Sequence, residues 1–117
     1  MNVRWIGLIG LGLVLIAGSA SAQDAKAAAQ GEKLFAQHKC GMCHSIGGKG
    51  TAMALKGPLD DVGSRLSAEE LRQWLINPKE MAVKAKSTRK PPMPDYAKLA
   101  KEDIEALVAY MQTLKKK

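Results

Sequence analysis

The two cysteines of the chain, Cys40 and Cys43, lie three positions apart, and His44 follows the second one directly. Four kinds of site use such a pair: a disulfide, a zinc site, a redox dithiol and a haem attachment site. A thioredoxin-like dithiol needs the strands of a βαβ unit, and the chain contains no alternating strand pattern. Zinc in a closed structural site needs four ligands, whereas the candidates here, with His38 included, are crowded into seven residues.

The run Cys-Gly-Met-Cys-His at residues 40–44 matches C-x-x-C-H, the attachment signature of a c-type haem. In such a site the thiols form thioether bonds to the haem vinyl groups, and the histidine binds the iron. One helical turn places both sulfurs along one haem edge. We therefore predict one haem c, attached covalently through Cys40 and Cys43, with His44 as an iron ligand. A disulfide remains the alternative, because lone cysteine pairs of exported proteins often form one.

The N-terminal segment predicts export. Arg4 precedes an apolar stretch from Trp5 to Ala17, and Ala20 and Ala22 have the A-x-A spacing that signal peptidase recognises. We expect cleavage after Ala22, with residues 1–22 as the signal peptide. An uncleaved membrane anchor is the alternative, but the apolar stretch is shorter than the roughly 20 residues that span a bilayer. In a Gram-negative bacterium the mature protein is then periplasmic, without stable membrane insertion.

The mature chain, residues 23–117, is small and poor in large side chains. The full 117 residues are too few for two ordinary domains, and a domain of about 95 residues buries only about 60–65% of its unfolded surface. Four aromatic residues remain after cleavage: Phe35, Trp74, Tyr96 and Tyr110. Something other than side chains is therefore expected to help fill the core.

A second iron ligand is suggested by Met93, which lies within the proline-rich run PPMP at residues 91–94. Proline fixes its own φ and keeps the preceding residue out of the helical region. The segment is therefore expected to be extended and stiff, and to present the Met93 thioether with little entropy left to lose. Met53 and Met81 are the competing methionines, and His38 is a weaker candidate.

The rest of the chain has the pattern of helices. Apolar residues recur at spacings of three and four in residues 24–38 and again in residues 101–117. Between them, Ser67 and Glu70 have the capping-box spacing at the start of a third helix, which Pro78 is expected to end. We therefore predict an all-α fold. The connecting segments, residues 45–58 and 77–95, are assigned to loops.

The order of these parts resembles the small monohaem class I cytochromes c of bacteria. The resemblance covers nearly the whole mature chain and implies an all-α fold of three to five helices wrapped around one covalently bound haem, which makes residues 23–117 a cytochrome c domain. The matching parts are Gly31 and Phe35 in the first helix, CGMCH at 40–44, GPLDDVGSRL at 57–66, WLINP at 74–78, PPMP at 91–94, and Leu107 and Tyr110 in the last helix. In the family the first and last helices cross at the glycine.

The resemblance also implies roles for residues around the haem. The carbonyl of Pro58 is expected to accept a hydrogen bond from the Nδ1–H of His44, which orients the ring and strengthens it as a ligand. The indole N–H of Trp74 is expected to donate to a haem propionate, with a plain core tryptophan as the alternative. Arg65 is a weaker propionate candidate.

The predicted ligands indicate the chemistry. Ligation by histidine and methionine raises the reduction potential of haem iron and leaves no open position for a substrate. We therefore predict a carrier of single electrons between redox partners and not an enzyme. Two alternatives stay open: an electron-entry subunit of a larger oxidoreductase, and a ligand-binding haem sensor in which Met93 does not hold the iron.

The charge pattern predicts the kind of partner. The chain has 18 Lys and Arg against 11 Asp and Glu, and a net charge of +6 remains once Arg4 is removed with the signal peptide. Around an exposed haem edge, basic residues would steer an acidic redox partner into a transient, salt-sensitive complex. An ordinary solvated surface is the alternative. Nucleic acid is not expected as a partner, and we expect a monomer. Five of the basic residues lie just ahead of Met93: Lys79, Lys84, Lys86, Arg89 and Lys90.

Overall fold

The computed structural model describes residue 12 and residues 19–116. The apolar stretch of the predicted signal peptide lies almost entirely outside the described residues, so cleavage after Ala22 stays a prediction. Among the helices of the described part, none is both long enough and apolar enough to cross a membrane.

Within the described residues the regular structure is helical and contains no β-strand, which confirms the predicted all-α class. Two of the α-helices are single turns of four residues, and with them the described residues contain more α-helices than the predicted three to five. The elements are α1 (Ser19–Gln37), a 3₁₀ turn (Cys40–Met42), α2 (Ala52–Leu55), α3 (Val62–Arg65), α4 (Ala68–Ile76), α5 (Pro78–Lys84) and α6 (Lys101–Gln112).

The start of α4 is fixed by the predicted capping box. The Glu70 N–H donates to Ser67 Oγ at 3.1 Å, and the Ser67 N–H donates to the Glu70 carboxylate at 2.7 Å. The helix ends at Ile76, as predicted, but Pro78 then begins α5 directly. The assignment of residues 77–95 to a loop was therefore wrong for α5, because proline suits the first position of a new helix as well as it ends the previous one.

The assignment of residues 45–58 to a loop was also wrong in part, since α2 lies within it. The Ala54 N–H donates to Thr51 Oγ1 at 3.2 Å, which caps the first turn. A helix of four residues is too short to show a helical period in the sequence.

The core is centred on the crossing of α1 and α6. A Cβ atom at Gly31 would lie 2.6 Å from the carbonyl carbon of Ala106 and 2.7 Å from Tyr110 Cβ, so the crossing that the family resemblance implies is present. The rings of Phe35 and Tyr110 pack edge to face beside it, with centroids 5.6 Å apart. Helices α3 and α4 close the same core. Its buried side chains include Leu34, Val62, Leu71, Leu75, Ile104, Leu107 and Val108.

A second close backbone contact joins α3 to the end of α6. A Cβ at Gly63 would lie 2.5 Å from the Gln112 carbonyl oxygen, and the Gly63 N–H donates to the Leu114 carbonyl at 2.7 Å. The Lys116 N–H donates to Ser64 Oγ at 3.1 Å. These bonds tie the chain after α6 to α3, a contact that the sequence analysis did not predict because Gly63 lies in a polar stretch without a period.

Candidate functional site

The attachment motif forms a single tight turn directly after α1. Lys39 adopts a left-handed backbone conformation with φ of 56°, which turns the chain out of the helix and into the 3₁₀ turn. The N–H groups of Cys43 and His44 then both donate to the Cys40 carbonyl, at 3.1 and 3.0 Å. One turn thus carries all three groups of the motif, and both thiols are free.

The imidazole of His44 is held by one defined hydrogen bond. Its Nδ1 lies 2.9 Å from the carbonyl oxygen of Gly57. Because a carbonyl only accepts, Nδ1 carries the proton, and Nε2 is left with the lone pair that an iron ligand needs. Burial lowers the pKa of His44, the hydrogen bond to the Gly57 carbonyl opposes this in part, and the Arg89 charge lowers it further, so the ring is neutral at neutral pH.

The acceptor of this bond corrects a prediction, because it is Gly57 and not Pro58. The backbone at Gly57 packs closely against the attachment motif, since a Cβ there would lie 2.7 Å from the Cys43 carbonyl oxygen. The backbone carbonyl that is nearest to the imidazole is therefore that of the glycine. Pro58 lies in the wall of the adjoining cavity instead.

A cavity of about 590 Å³ adjoins the motif. Packed protein interiors contain few voids larger than a water molecule, whereas cofactor pockets measure about 300–1,000 Å³. A large part of its wall is apolar and comes from α1, α4 and α6. It includes Phe35, Leu71, Leu75, Leu107 and Met111. The chain thus folds around a space that its own few large side chains do not fill, as the composition led us to expect.

The predicted site residues lie around this one cavity. Its wall contains Cys40, Cys43, His44, Pro58, Trp74 and Met93, and the weaker candidates Arg65 and His38 as well. The competing methionines are placed differently. Met53 and Met81 are not part of the wall, and Met53 lies outside it, 43% exposed, with its sulfur 3.6 Å from Cys43 Sγ.

The segment that carries Met93 is anchored just beyond it. The Tyr96 N–H donates to the Leu75 carbonyl at 2.9 Å, which fixes the end of the segment to α4. Met93 itself is partly buried and packs against the core. The Tyr96 ring meets the His38 ring edge to face, with centroids 5.8 Å apart. The segment therefore closes one side of the cavity.

Three residues of the site were missed by sequence reasoning. Tyr96 and Arg89 flank the PPMP run, and Gly57 precedes Pro58, so all three lie beside predicted residues. Tyr96 belongs to the wall next to Cys40, whose thiol pKa is raised chiefly by burial. Their position next to predicted residues was the only sign of them in the sequence. Gly57 acts through its own backbone carbonyl, and Arg89 donates to the backbone carbonyls of other residues.

A model of the cytochrome c family matches residues 28–115. That span contains the attachment motif, the cavity wall, the whole of α6 and the part of α1 that carries Gly31. The chain belongs to the cytochrome c family. Cytochrome c oxidase subunit 2 of Alkalihalophilus pseudofirmus is 33% identical to this chain over 92 residues, which cover 74% of this chain and 25% of that protein. This cytochrome c thus spans about a quarter of the relative's length. No solved structure gives a significant match.

Membership in the family, together with C-x-x-C-H, makes this a class I monohaem cytochrome c that binds haem c covalently through Cys40 and Cys43. The site fits that group, because two free thiols and a neutral imidazole meet a large apolar cavity. When bound, haem supplies a one-electron iron couple. The protein orients the imidazole through Gly57 and provides apolar surroundings. The cytochrome c domain therefore serves electron transfer, the general role of its family.

Proposed function

We propose that this cytochrome c is an exported carrier that shuttles single electrons between redox partners, with His44 and Met93 as the two iron ligands. The observation that carries the proposal is that Met93 lies in the wall of the same cavity as the attachment motif. The proline-rich run and the anchor at Tyr96 hold it there with little freedom.

The surroundings of the other methionines favour Met93. Met53 and Met81 lie outside the cavity wall. Met42 belongs to the attachment motif itself and is 61% exposed. Met111 belongs to the wall but is 8% exposed within the hydrophobic core on α6, where a thioether commonly serves as apolar filling.

Ligation on both faces supports electron transfer and not catalysis. His44 and Met93 together would hold the iron without an open position for a substrate, and this pair of ligands would raise its potential. The two residues that would hold the iron have little freedom of their own, because His44 is held by the Gly57 carbonyl and Met93 lies on a stiff segment. Trp74 lies in the cavity wall, where its indole N–H is proposed to donate to a haem propionate.

The location and partners complete the proposal. Residues 1–22 are proposed to be removed during export to the periplasm, and residues 23–117 to act as a monomer. The net charge of +6 that remains after removal of residues 1–22 favours an acidic redox protein as a transient partner. Nucleic acid is not proposed as a partner.

The optical spectrum of the ferric protein tests the ligation. A weak far-red band reports sulfur bound to ferric iron, and we expect wild type to show it and Met93→Ala to lose it. Met53→Ala is the matched control, because it removes an equal side chain beside Cys43 but outside the wall. Absence of the band from wild type, or its retention in Met93→Ala, would contradict the proposal.

The match to an oxidase subunit favours a second candidate function. In that case this cytochrome c acts as the electron-entry module of a larger oxidoreductase, since the relative is named as cytochrome c oxidase subunit 2. The free carrier and the electron-entry module differ in whether the protein is bound to other subunits after purification under gentle conditions. A lone monomer favours the free carrier, whereas co-purification in a stoichiometric complex with enzyme activity favours the module.

A further inference from the structure

The guanidinium of Arg89 reaches from the Met93 segment back to the attachment motif. Arg89 Nη2 donates to the Cys43 carbonyl at 2.9 Å and to the Met53 carbonyl at 3.2 Å. These acceptors lie 46 and 36 positions earlier in the chain. Arg89 therefore bridges two parts of the structure that are far apart in sequence.

The guanidinium is seated in a space that Gly57 leaves open. A Cβ at Gly57 would lie 2.7 Å from Arg89 Cζ and 2.7 Å from the Cys43 carbonyl oxygen. The carbonyl of the same glycine accepts the hydrogen bond from His44. The backbone at Gly57 thus contacts the attachment motif, the imidazole and the arginine together.

The planar guanidinium suits this contact better than an ammonium would. None of the ion pairs in residues 19–116 involves Arg89, and its acceptors are backbone carbonyls. A guanidinium presents several donors in a fixed plane and can serve two carbonyls at once, whereas an ammonium is a flexible point charge. Lysine at this position would keep the charge but hold the geometry less well.

Met93 lies between two anchors. On one side Arg89 bonds to the attachment motif, and on the other the Tyr96 N–H bonds to the Leu75 carbonyl. The prolines at 91, 92 and 94 stiffen the backbone between these anchors. Only Lys90 and two prolines separate Arg89 from Met93, so a short and stiff stretch of backbone joins the two residues.

We propose that Arg89 is a positioning residue that holds the Met93 segment closed over the cavity through its bonds to the Cys43 and Met53 carbonyls. This inference rests on the proposed ligation by Met93. Loss of the two bonds raises the fraction of molecules in which the segment has moved away. An external ligand then competes more successfully with the Met93 sulfur for the iron.

Imidazole binding to the ferric haem-loaded protein measures this opening. We expect Arg89→Ala to bind imidazole about three- to tenfold more tightly than wild type, the range that corresponds to one net hydrogen bond. Arg89→Lys should lie between the two. The control is Lys90→Ala, which removes a neighbouring positive charge from the same segment and should bind imidazole as wild type does.

A second control separates local opening from general loss of stability. Gly31→Ala disturbs the crossing of α1 and α6, outside the cavity wall, and should leave the imidazole dissociation constant close to that of wild type. An equal effect of Gly31→Ala and Arg89→Ala would overturn the role of Arg89, as would an unchanged constant in Arg89→Ala. A wild-type ferric spectrum without the far-red band would instead overturn the ligation itself, and this inference with it.

Discussion

Gly31 on α1 lies against the backbone of Ala106 on α6 with no room for a side chain between them. We expect Gly31→Ala to lower the free energy of unfolding by about 1–3 kcal/mol, the usual cost of overpacking. Alanine has a better helix propensity than glycine, which offsets up to about 1 kcal/mol of this loss of stability. Urea unfolding of the haem-loaded protein measures the difference.

The control for this prediction is Gly41→Ala. A Cβ at Gly41 would lie 4.0 Å from its nearest neighbour, a ring carbon of Phe35, which is ordinary van der Waals contact. Its effect should stay within about 0.5 kcal/mol. Equal stabilities of Gly31→Ala and wild type would mean that the two helices can separate without cost.

Features that depend on residues close together in the sequence could be predicted, whereas contacts between distant residues could not. The attachment motif, the capping box at Ser67 and the stiff segment around Met93 all depend on neighbours within a few residues. These local features could therefore be predicted. The identification of the crossing at Gly31 came from the family resemblance, because a lone glycine in a helix does not reveal its partner.

The misses have a physical cause in common. The bond from His44 goes to Gly57 and the bonds from Arg89 go to Cys43 and Met53, and in each case the acceptor is a backbone carbonyl. Every residue has such a carbonyl, so the residue types leave no signal. The helix α5 was missed because Pro78 ends one helix and begins another, and residues 77–95 were assigned to a loop on the strength of the first effect.

The ion pair between α4 and α6 predicts how stability depends on pH. Arg72 donates to both carboxylate oxygens of Glu105, at 2.6 and 2.9 Å, and these hydrogen bonds are the main reason why the pKa of Glu105 is lowered. A lowered pKa in the folded state means that the pair stabilises the protein at neutral pH and that this contribution is lost as the pH falls through that pKa. The side chains are 29% and 42% exposed, so we expect less than about 1 kcal/mol.

Unfolding in urea at about pH 7 and about pH 3 measures this contribution. Glu105→Gln should reduce the loss of stability between the two pH values. Glu32→Gln, the same change on the exposed side of α1, should leave that loss as it is, because Glu32 belongs to none of the ion pairs in the described part of the chain. An unchanged pH dependence in Glu105→Gln would show that solvent screens the pair completely.

The basic surface predicts opposite salt effects for redox reagents of opposite charge. We expect the rate of electron exchange with anionic ferricyanide to fall by at least about threefold as salt is raised, and the rate with a cationic cobalt complex to rise, because salt screens the field of the protein. Stopped-flow mixing at several ionic strengths measures both. Rates that do not depend on salt would remove the proposed electrostatic steering.

Two charge reversals locate the source of this effect. Lys90 lies between Arg89 and Pro91, which both belong to the cavity wall, whereas Lys33 lies on α1 outside it. Lys90→Glu should slow ferricyanide more than Lys33→Glu, although both change the net charge equally. Equal effects would mean that only the total charge matters.

The pairing of α1 with α6 also determines when the fold can form. Helix α1 lies at the start of the domain and α6 near its end, so the contact between Gly31 and Ala106 closes a loop of about 75 residues. Contacts this distant in sequence make folding slower than local contacts do. During synthesis the motif at Cys40 therefore emerges well before the chain has the segment that completes its core. Until α6 has been made, the core that adjoins the two thiols lacks one of its two crossing helices.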